Sequence, residues 1–406
     1  MASAGRVLIF IEDGSFIFDN RVKREVKTLE EAGYEVNVIC PRYPGEKLAD
    51  TVGRTHVYRY PKFSPGGAVL GHLCEYSCSL VFGWILALWV ALRRGFDVIQ
   101  LCNPPDVLFP IAIFFKLLGK KYIFDHHDVC PELFETQFGK RSGLFYRILC
   151  WAERQSLRWA DGVISTNESY RRIAIDRAQI PADRIRVVRN GPDLEKFREW
   201  PLPRKKSPVR VGYIGNMNPQ DGVDYLLKAA KHIRVDLKRT DVEFVLIGKG
   251  DSFSSLKLLA AGLGLDGCVR FTGRIPDEDV LRELGDCDIG CQPDPRNPLN
   301  EISTMNKVME YMALAKPVVA FDLVETRVSS EEAALYARDI TAEALALNIL
   351  RLADDFDLRR SMGLAGRRRV EEKLAWKYSE APLLSMYRMV LRASSVETVA
   401  PTAKVS

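Results

Sequence analysis

Two histidines flanked by two aspartates, Asp125-His126-His127-Asp128, follow a short apolar run. A histidine at such a place can bond a substrate hydroxyl while a carboxylate holds its ring. His127 is the candidate, with His126 turned the other way. A structural histidine capping a loop fits the same pattern. A second cluster lies in Glu301–Asp322, EISTMNKVMEYMALAKPVVAFD. Ser303 or Thr304 is a natural N-cap there, and Pro317 is the natural stop. Asn306 and Glu310 are four apart and share a face. A helix start gathers unpaired N–H groups and suits a diphosphate. Lys307 lies in the first turn, within reach of phosphate, and Glu310 is one turn deeper, where it can accept from ribose hydroxyls. Spacing alone fits an ordinary amphipathic helix with one solvated glutamate better. The Gly215-Asn216 and Gln220-Asp221-Gly222 turns offer backbone N–H groups to phosphate oxygens. Arg274, in Gly273-Arg274-Ile275, carries charge toward a diphosphate or frames a base. Simple βα turns and a solvated arginine are the plainer alternatives.

The elements that must position these residues alternate between strand and helix. Arg6–Ile11 is a buried strand, Asp13-Gly14-Ser15 a turn, and residues 19–33 a helix ending at Gly33. Tyr34–Cys40 is the next strand. That βαβ unit predicts a parallel sheet whose first turn faces ligand. Phe96–Leu101, Lys121–Phe124, residues 160–166 and Ile185–Val188 continue it. Residues 200–208, WPLPRKKSP, mark a boundary by composition. The rhythm then restarts with strands at Val209–Ile214, Val242–Ile247, Val269–Thr272, Asp288–Cys291 and Val318–Phe321. Helices near 341–353, 357–372 and 380–393 close the chain. The domains are therefore 1–200 and 209–380 around a linker at 201–208, with a helix at 381–393 and a disordered tail at 394–406.

Composition narrows the classes. The chain has 406 residues, 47% hydrophobic and 27% charged, as expected of two soluble domains. Its net charge of +5 is too small to argue for nucleic acid, and suits anionic substrates or an anionic membrane surface. Nine cysteines, mostly in apolar runs, suit a reduced cytosolic protein. None has the paired close spacing of a zinc site, so no metal is expected. The opening MASAGRVLIF moves straight into a strand, so no signal peptide is expected. Tyr76–Leu92 is 17 residues without a charge. Strands of one sheet flank it, so it reads as a buried or interfacial helix rather than a span. Neither G-x-G-x-x-G after a strand nor G-x-x-x-x-G-K-[ST] occurs, which disfavours nicotinamide and P-loop chemistry.

The ordered set YIFDHHDVCPE (122–132), VVRNGPD (187–193), VGYIGNM with QDGVDYLL (211–227), EFVLIGKGD (243–251), VRFTGRIPDEDV (269–280), DCDIG (286–290) and STMNKVMEYMALAKPVVA (303–320) resembles the family 4 glycosyltransferases of GT-B fold over nearly the whole chain. The resemblance implies two Rossmann-like doubly wound domains facing across a cleft, with the acceptor on the first and a nucleotide-diphosphate sugar on the second. It implies retaining transfer to an acceptor hydroxyl without a cofactor or a metal. It places Glu310 at the ribose, His127 at the donor sugar, Gly14 near the diphosphate and Arg274-Ile275 at the base. It also exposes departures. Ile302 stands eight before Glu310, so the first glutamate of the E-x7-E motif is missing or shifted to Glu301. Asn216 and Gln220-Asp221 stand where a basic diphosphate clamp is usual. The weak basic balance and the Tyr76–Leu92 stretch suggest a carbohydrate or lipid-linked acceptor at the inner membrane face, with peripheral contact. Envelope, capsule or exopolysaccharide assembly is the setting expected. A sugar-nucleotide 2-epimerase and a non-catalytic sugar-nucleotide-binding partner are the competing readings.

Overall fold

A computed structural model describes residues 4–62, 68–139, 141–197, 205 and 208–396. The chain divides into two compact units. One comprises Met1–Glu135, Lys140–Arg189 and Ser379–Ser406, and the other Thr136–Gly139 and Asn190–Tyr378. The passage between units at Arg189–Asn190 precedes the proline-rich stretch, because residues after Asn190 already pack on the second unit. A Cβ on Gly191 would strike the Leu374 carbonyl at 1.9 Å. The expected linker at 201–208 lies largely outside the described residues, as does the tail beyond Val396.

In the first unit the elements run β1 (Arg6–Phe10), α1 (Asn20–Glu31), β2 (Glu35–Arg42), β3 (Ala49–Val52), β4 (Thr55–Pro61), α2 (Ala68–Arg93), β5 (Val98–Cys102), α3 (Phe109–Leu117), β6 (Lys121–His126), α4 (Cys130–Phe138), α5 (Leu144–Trp159), β7 (Gly162–Ser165), α6 (Glu168–Ala178) and β8 (Ile185–Val187). Their sheet has the order β3-β4-β2-β1-β5-β6-β7-β8. It is parallel except for the β3–β4 hairpin, which the sequence reading missed. Its turn needs Gly53 at φ +63, a backbone that glycine adopts freely. The central strands are largely apolar because helices cover both faces, with Gln100 the polar exception in β5.

The second unit runs β9 (Val209–Ile214), α7 (Val223–Lys231), β10 (Val242–Ile247), α8 (Phe253–Gly262), β11 (Val269–Gly273), α9 (Asp277–Gly285), β12 (Ile289–Gln292), α10 (Asn306–Ala313), β13 (Val318–Phe321), α11 (Val324–Ser330), β14 (Ala334–Ala337), α12 (Ala342–Asp354) and α13 (Phe356–Arg369). Its parallel sheet is ordered β11-β10-β9-β12-β13-β14, the doubly wound order with its switch point between β9 and β12. The last helix, α14 (Lys377–Val396), belongs mostly to the first unit. A Cβ on Gly162 of β7 would meet the sulfur of Met386 at 2.2 Å, so helix and strand touch closely there.

One expectation about the key helix, its N-cap, is corrected. α10 starts at Asn306, and its N-cap is Met305, which offers no side-chain bond. The hydroxyls expected to cap it are engaged elsewhere: Ser303 donates to the Leu299 carbonyl at 2.8 Å and Thr304 to Glu325 at 3.2 Å. The helix ends at Ala313, ahead of Pro317. Ala315 turns left-handed at φ 55, and its carbonyl sits so close to Gly363 of α13 that a Cβ there would approach it to 2.1 Å. The chain closes the helix with a left-handed cap, in which the Lys316 N–H donates to the Tyr311 carbonyl at 2.9 Å, and Pro317 follows where the helix could not continue.

Candidate active site

The first cluster forms at the C-terminal edge of the first sheet. Asp125 and His126 end β6, and side chains alternate across a strand, so the two point to opposite faces. His126 is buried, 3.3 Å from Glu153, and stacks on Phe124. His127 lies beyond the strand on the other side. Its backbone N–H donates to the Asn103 side chain at 2.6 Å. Its Nε2 is 2.7 Å from Asp125 Oδ2 and 2.7 Å from Arg21 Nε. One ring nitrogen serves one of these at a time. When it donates to Asp125, the Arg21 Nε–H has Glu25 Oε1 at 3.1 Å as its alternative partner. Arg21 also donates to Asp125 at 2.9 Å and to the Val188 carbonyl at 2.8 Å. Gln100, on β5, donates to Glu25 at 2.8 Å and to Asp125 at 3.0 Å. It accepts from the Tyr387 hydroxyl of α14. Among the described residues nothing bonds His127 Nδ1.

The charges follow from this geometry. Burial works against a charged ring, but the Asp125 carboxylate outweighs it and lifts His127 to about 9. Burial also opposes ionisation of Asp125, yet Arg21 and His127 hold it well below the usual carboxylate range. Burial, reinforced by Asp125, pushes Glu25 up to about 8. A buried cation–carboxylate set of this kind is tolerated only when every member has a partner. Cys102, Asp125 and His127 bring possible ligand atoms within 4.8 Å of one another. They do not fit a cation: Arg21 already occupies the cluster, and burial keeps the Cys102 thiol protonated. Gly14 lies at the same edge, after β1, and a Cβ there would meet nothing within 4 Å.

The second cluster forms where β9 and β10 end. Gly248, at φ +127, brings its backbone against Gly215, at φ +148; a Cβ on Gly248 would lie 2.0 Å from the Gly215 carbonyl. A Cβ on Gly250 would lie 2.6 Å from the Met217 nitrogen. Only glycine permits this approach of two loops. Asn218 fixes them: its N–H donates to Asp221 and its side chain accepts from the Asp251 N–H, at 2.9 and 3.0 Å. Asn216 is exposed and Gln220 half-buried beside them. α10 abuts this edge through Tyr311, whose hydroxyl accepts from the Ile214 N–H at 2.9 Å and donates to the Cys291 carbonyl at 3.1 Å. Asn306 is exposed at its first turn and Glu310 is half-buried. Arg274 and Ile275 follow β11 in the next loop along, exposed and half-buried respectively.

Lys307 is placed differently from its sequence expectation. It is buried, with Nζ 3.0 Å from both carboxylate oxygens of Asp294 and 4.9 Å from the Tyr213 ring centroid. Glu301 is likewise engaged, 3.2 Å from Arg296. Sequence reasoning missed Arg21, Glu25 and Gln100. Arg21 and Glu25 look like ordinary polar positions of an amphipathic helix, and only their complete burial shows otherwise.

Two doubly wound units, each presenting polar groups at the C-terminal edge of a parallel sheet, are the architecture of the GT-B glycosyltransferases. Residues 19–196 match the model of Glycosyltransferase Family 4, and residues 208–355 that of Glycosyl transferases group 1. The chain belongs to the family 4 glycosyltransferases and is a transferase. It is 21% identical over 370 residues to the uncharacterized glycosyltransferase MJ1069 of Methanocaldococcus jannaschii, covering 86% of this chain and 88% of that one. It is 24% identical over 382 residues to the phosphatidyl-myo-inositol mannosyltransferase of Mycolicibacterium smegmatis, covering 91% and 89%. The fold matches the structure of Anabaena Alr3699/HepE in complex with UDP-glucose, with a TM-score of 0.68, 16% identity and coverage of 94% and 99%.

Proposed function

We propose that the chain transfers a sugar, with retention, from a nucleotide-diphosphate sugar to a hydroxyl of a carbohydrate or lipid-linked acceptor in envelope, capsule or exopolysaccharide assembly, working in the cytoplasm at the inner membrane face. The observation that carries this reading is His127: a ring nitrogen held by Asp125, and a second nitrogen that nothing bonds among the described residues, at the edge where a doubly wound sheet binds ligands. A protonated ring donates from Nδ1 to a donor-sugar hydroxyl. On the second unit, the Gly215 and Gly248 loops and the start of α10 present backbone N–H groups to the diphosphate, and Glu310 accepts from the ribose. Arg274-Ile275 frames the base. In the transfer the bond from the anomeric carbon to the phosphate oxygen breaks, and the acceptor oxygen bonds that carbon on the same face. The acceptor proton passes to the leaving phosphate. The bound sugar nucleotide of the Anabaena neighbour and the lipid named for the mycobacterial relative support the donor and acceptor classes.

The test is a panel of UDP- and GDP-sugars followed by NMR, first without and then with candidate acceptors. Slow release of free sugar, and an α-linked product from an α-linked donor, are expected. A 2-epimerised nucleotide sugar, an inverted product, or binding without turnover of any donor refutes the reading.

A further inference from the structure

The apolar stretch that the sequence reading singled out is the middle of α2, and the fold leaves much of it uncovered. Cys74–Arg93 has a mean hydropathy of 1.6, yet only 22% of that window is buried. Its inner stripe is fixed in the core: a Cβ on Gly83 would strike the Phe10 ring at 2.5 Å, and Ala87 and Val90 are fully buried. The helix therefore cannot leave the sheet to cross a bilayer without dismantling the unit's core. Its outer stripe is apolar too. Val81, Ile85 and Leu92 are 57%, 56% and 86% exposed, at one-turn and two-turn spacing.

A second helix repeats the pattern. α5 buries Ala152, Glu153, Ser156 and Leu157 and turns Leu144, Ile148 and Trp151 outward. An ordinary surface helix carries mixed charges on that side. Here every exposed charge is basic: Arg147, Arg154 and Arg158 on α5, and Arg93 at the end of α2. Among the described residues of α2, α3 and α5, no carboxylate is exposed; Glu75 is half-buried against Lys62 and Glu153 is buried. α3 joins the two helices into one layer, through Trp84 against Phe114 and Phe109 against Trp151, with ring centroids 5.5 and 5.6 Å apart.

We propose that the outer face of α2, α3 and α5 lies on an anionic lipid bilayer, with the apolar stripes in the headgroup–acyl boundary and the arginines at the phosphates. Large apolar residues and tryptophan beside arginines, with exposed carboxylates absent, are the complement of such a surface. The chemistry does not suit a second copy of the same face, which would set arginine against arginine. The proposal names the membrane partner of the transfer proposed above, but vesicle binding and nucleotide binding are separate measurements and can fail separately.

Sedimentation of the full chain with vesicles tests it, comparing phosphatidylglycerol mixed into phosphatidylcholine with phosphatidylcholine alone. The chain is expected to pellet with the anionic vesicles and to remain largely in solution with the zwitterionic ones. Trp151→Glu with Ile148→Glu is expected to weaken vesicle binding by tenfold or more while the chain still unfolds cooperatively, Trp151 losing its edge-on contact with Phe109. Leu144→Glu with Ile148→Glu, which spares that contact, is expected to weaken binding with the melting temperature preserved. Arg147→Gln and Arg158→Gln are each expected to weaken anionic binding roughly fivefold. Wild-type protein that stays in solution with both vesicles overturns the proposal, as does binding that none of these variants changes. Self-association abolished by Trp151→Glu, without vesicle binding, overturns it in favour of a second copy.

Discussion

Replacing Asp125 by asparagine isolates the electrostatics of the His127 cluster. The shape is retained, but one negative charge is lost from between Arg21, at 2.9 Å, and His127, at 2.7 Å. A rise from the ordinary 6.5 to about 9 at His127 corresponds to roughly 3 kcal/mol of preference for the charged ring. The groups facing it are Arg21 and Glu25 from α1, Asp13 after β1, Cys102 from β5, Asp125 itself and Asp128. Without Asp125, the largest favourable interaction is gone while burial and Arg21 still oppose the charge, so the ring midpoint is expected to fall from about 9 toward its ordinary value, with Glu25, Asp13 and Asp128 holding back part of the fall. The sign for stability follows from the direction of the shift. A group whose folded-state value is raised stabilises the fold fully below its unfolded value. It loses that stabilisation as pH climbs through the folded value. His127 thus stabilises the unit fully below pH 6.5 and not at all well above 9. Glu25, raised to about 8, adds a loss in the same direction between about 4.5 and 8. Wild-type melting temperature is expected to decline between pH 6.5 and 9. Asp125→Asn should be destabilised by roughly 3–5 kcal/mol at pH 6, the usual cost of stripping one member from a buried pair, and should lose most of that decline. Proton NMR titration of the His127 ring, assigned with His127→Ala, reads the cause directly. A wild-type midpoint near 6.5, or one identical in the two proteins, refutes the reasoning.

Glu310→Ala should weaken UDP or GDP binding roughly 10- to 100-fold, the loss of hydrogen bonds to a charged acceptor. Calorimetry showing unchanged affinity removes the ribose assignment. Gly248→Ala should abolish measurable nucleotide binding, since its Cβ would lie 2.0 Å from the Gly215 carbonyl and its φ is +127. The expected cost in stability is about 1–3 kcal/mol, and an alanine variant that binds normally shows that the two loops do not form the cradle.

Fold and site differed in how far the sequence displayed them. The parallel sheets were legible because their strands are mostly apolar runs, as in Val7–Phe10 and Phe244–Ile247. The β3–β4 hairpin was not: β3 is exposed along its length and offers no apolar run to read. His127 was legible because it shares four consecutive residues with the aspartate that holds it. Gln100 was not, because it sits inside an apolar strand, and its partners Glu25, Asp125 and Tyr387 come from three other elements.

Lys307 shows the same limit more sharply, and it changes what the edge of the second sheet can do. One turn into a helix, a lysine reads as a phosphate ligand. Its actual partner, Asp294, lies in the loop after β12, where no helical spacing reveals it. Burial disfavours the ammonium, but Asp294 and Asp221 keep it charged. Its positive charge is therefore already matched within the fold. Lys307→Met should leave Asp294, 1% exposed, as an uncompensated buried charge, costing about 3–5 kcal/mol. Asp294→Asn added to it should recover most of that loss. If a nucleotide diphosphate binds as proposed, the same pairing leaves backbone N–H groups as its main contacts, and its affinity should fall only a fewfold between low and high salt, less than a lysine clamp would give. Thermal unfolding of the single and double variants, with nucleotide titrations across salt concentrations, measures both effects. A single variant as stable as wild type, or affinity that collapses with salt, would show that Lys307 is a phosphate ligand and that Asp294 merely holds it in waiting.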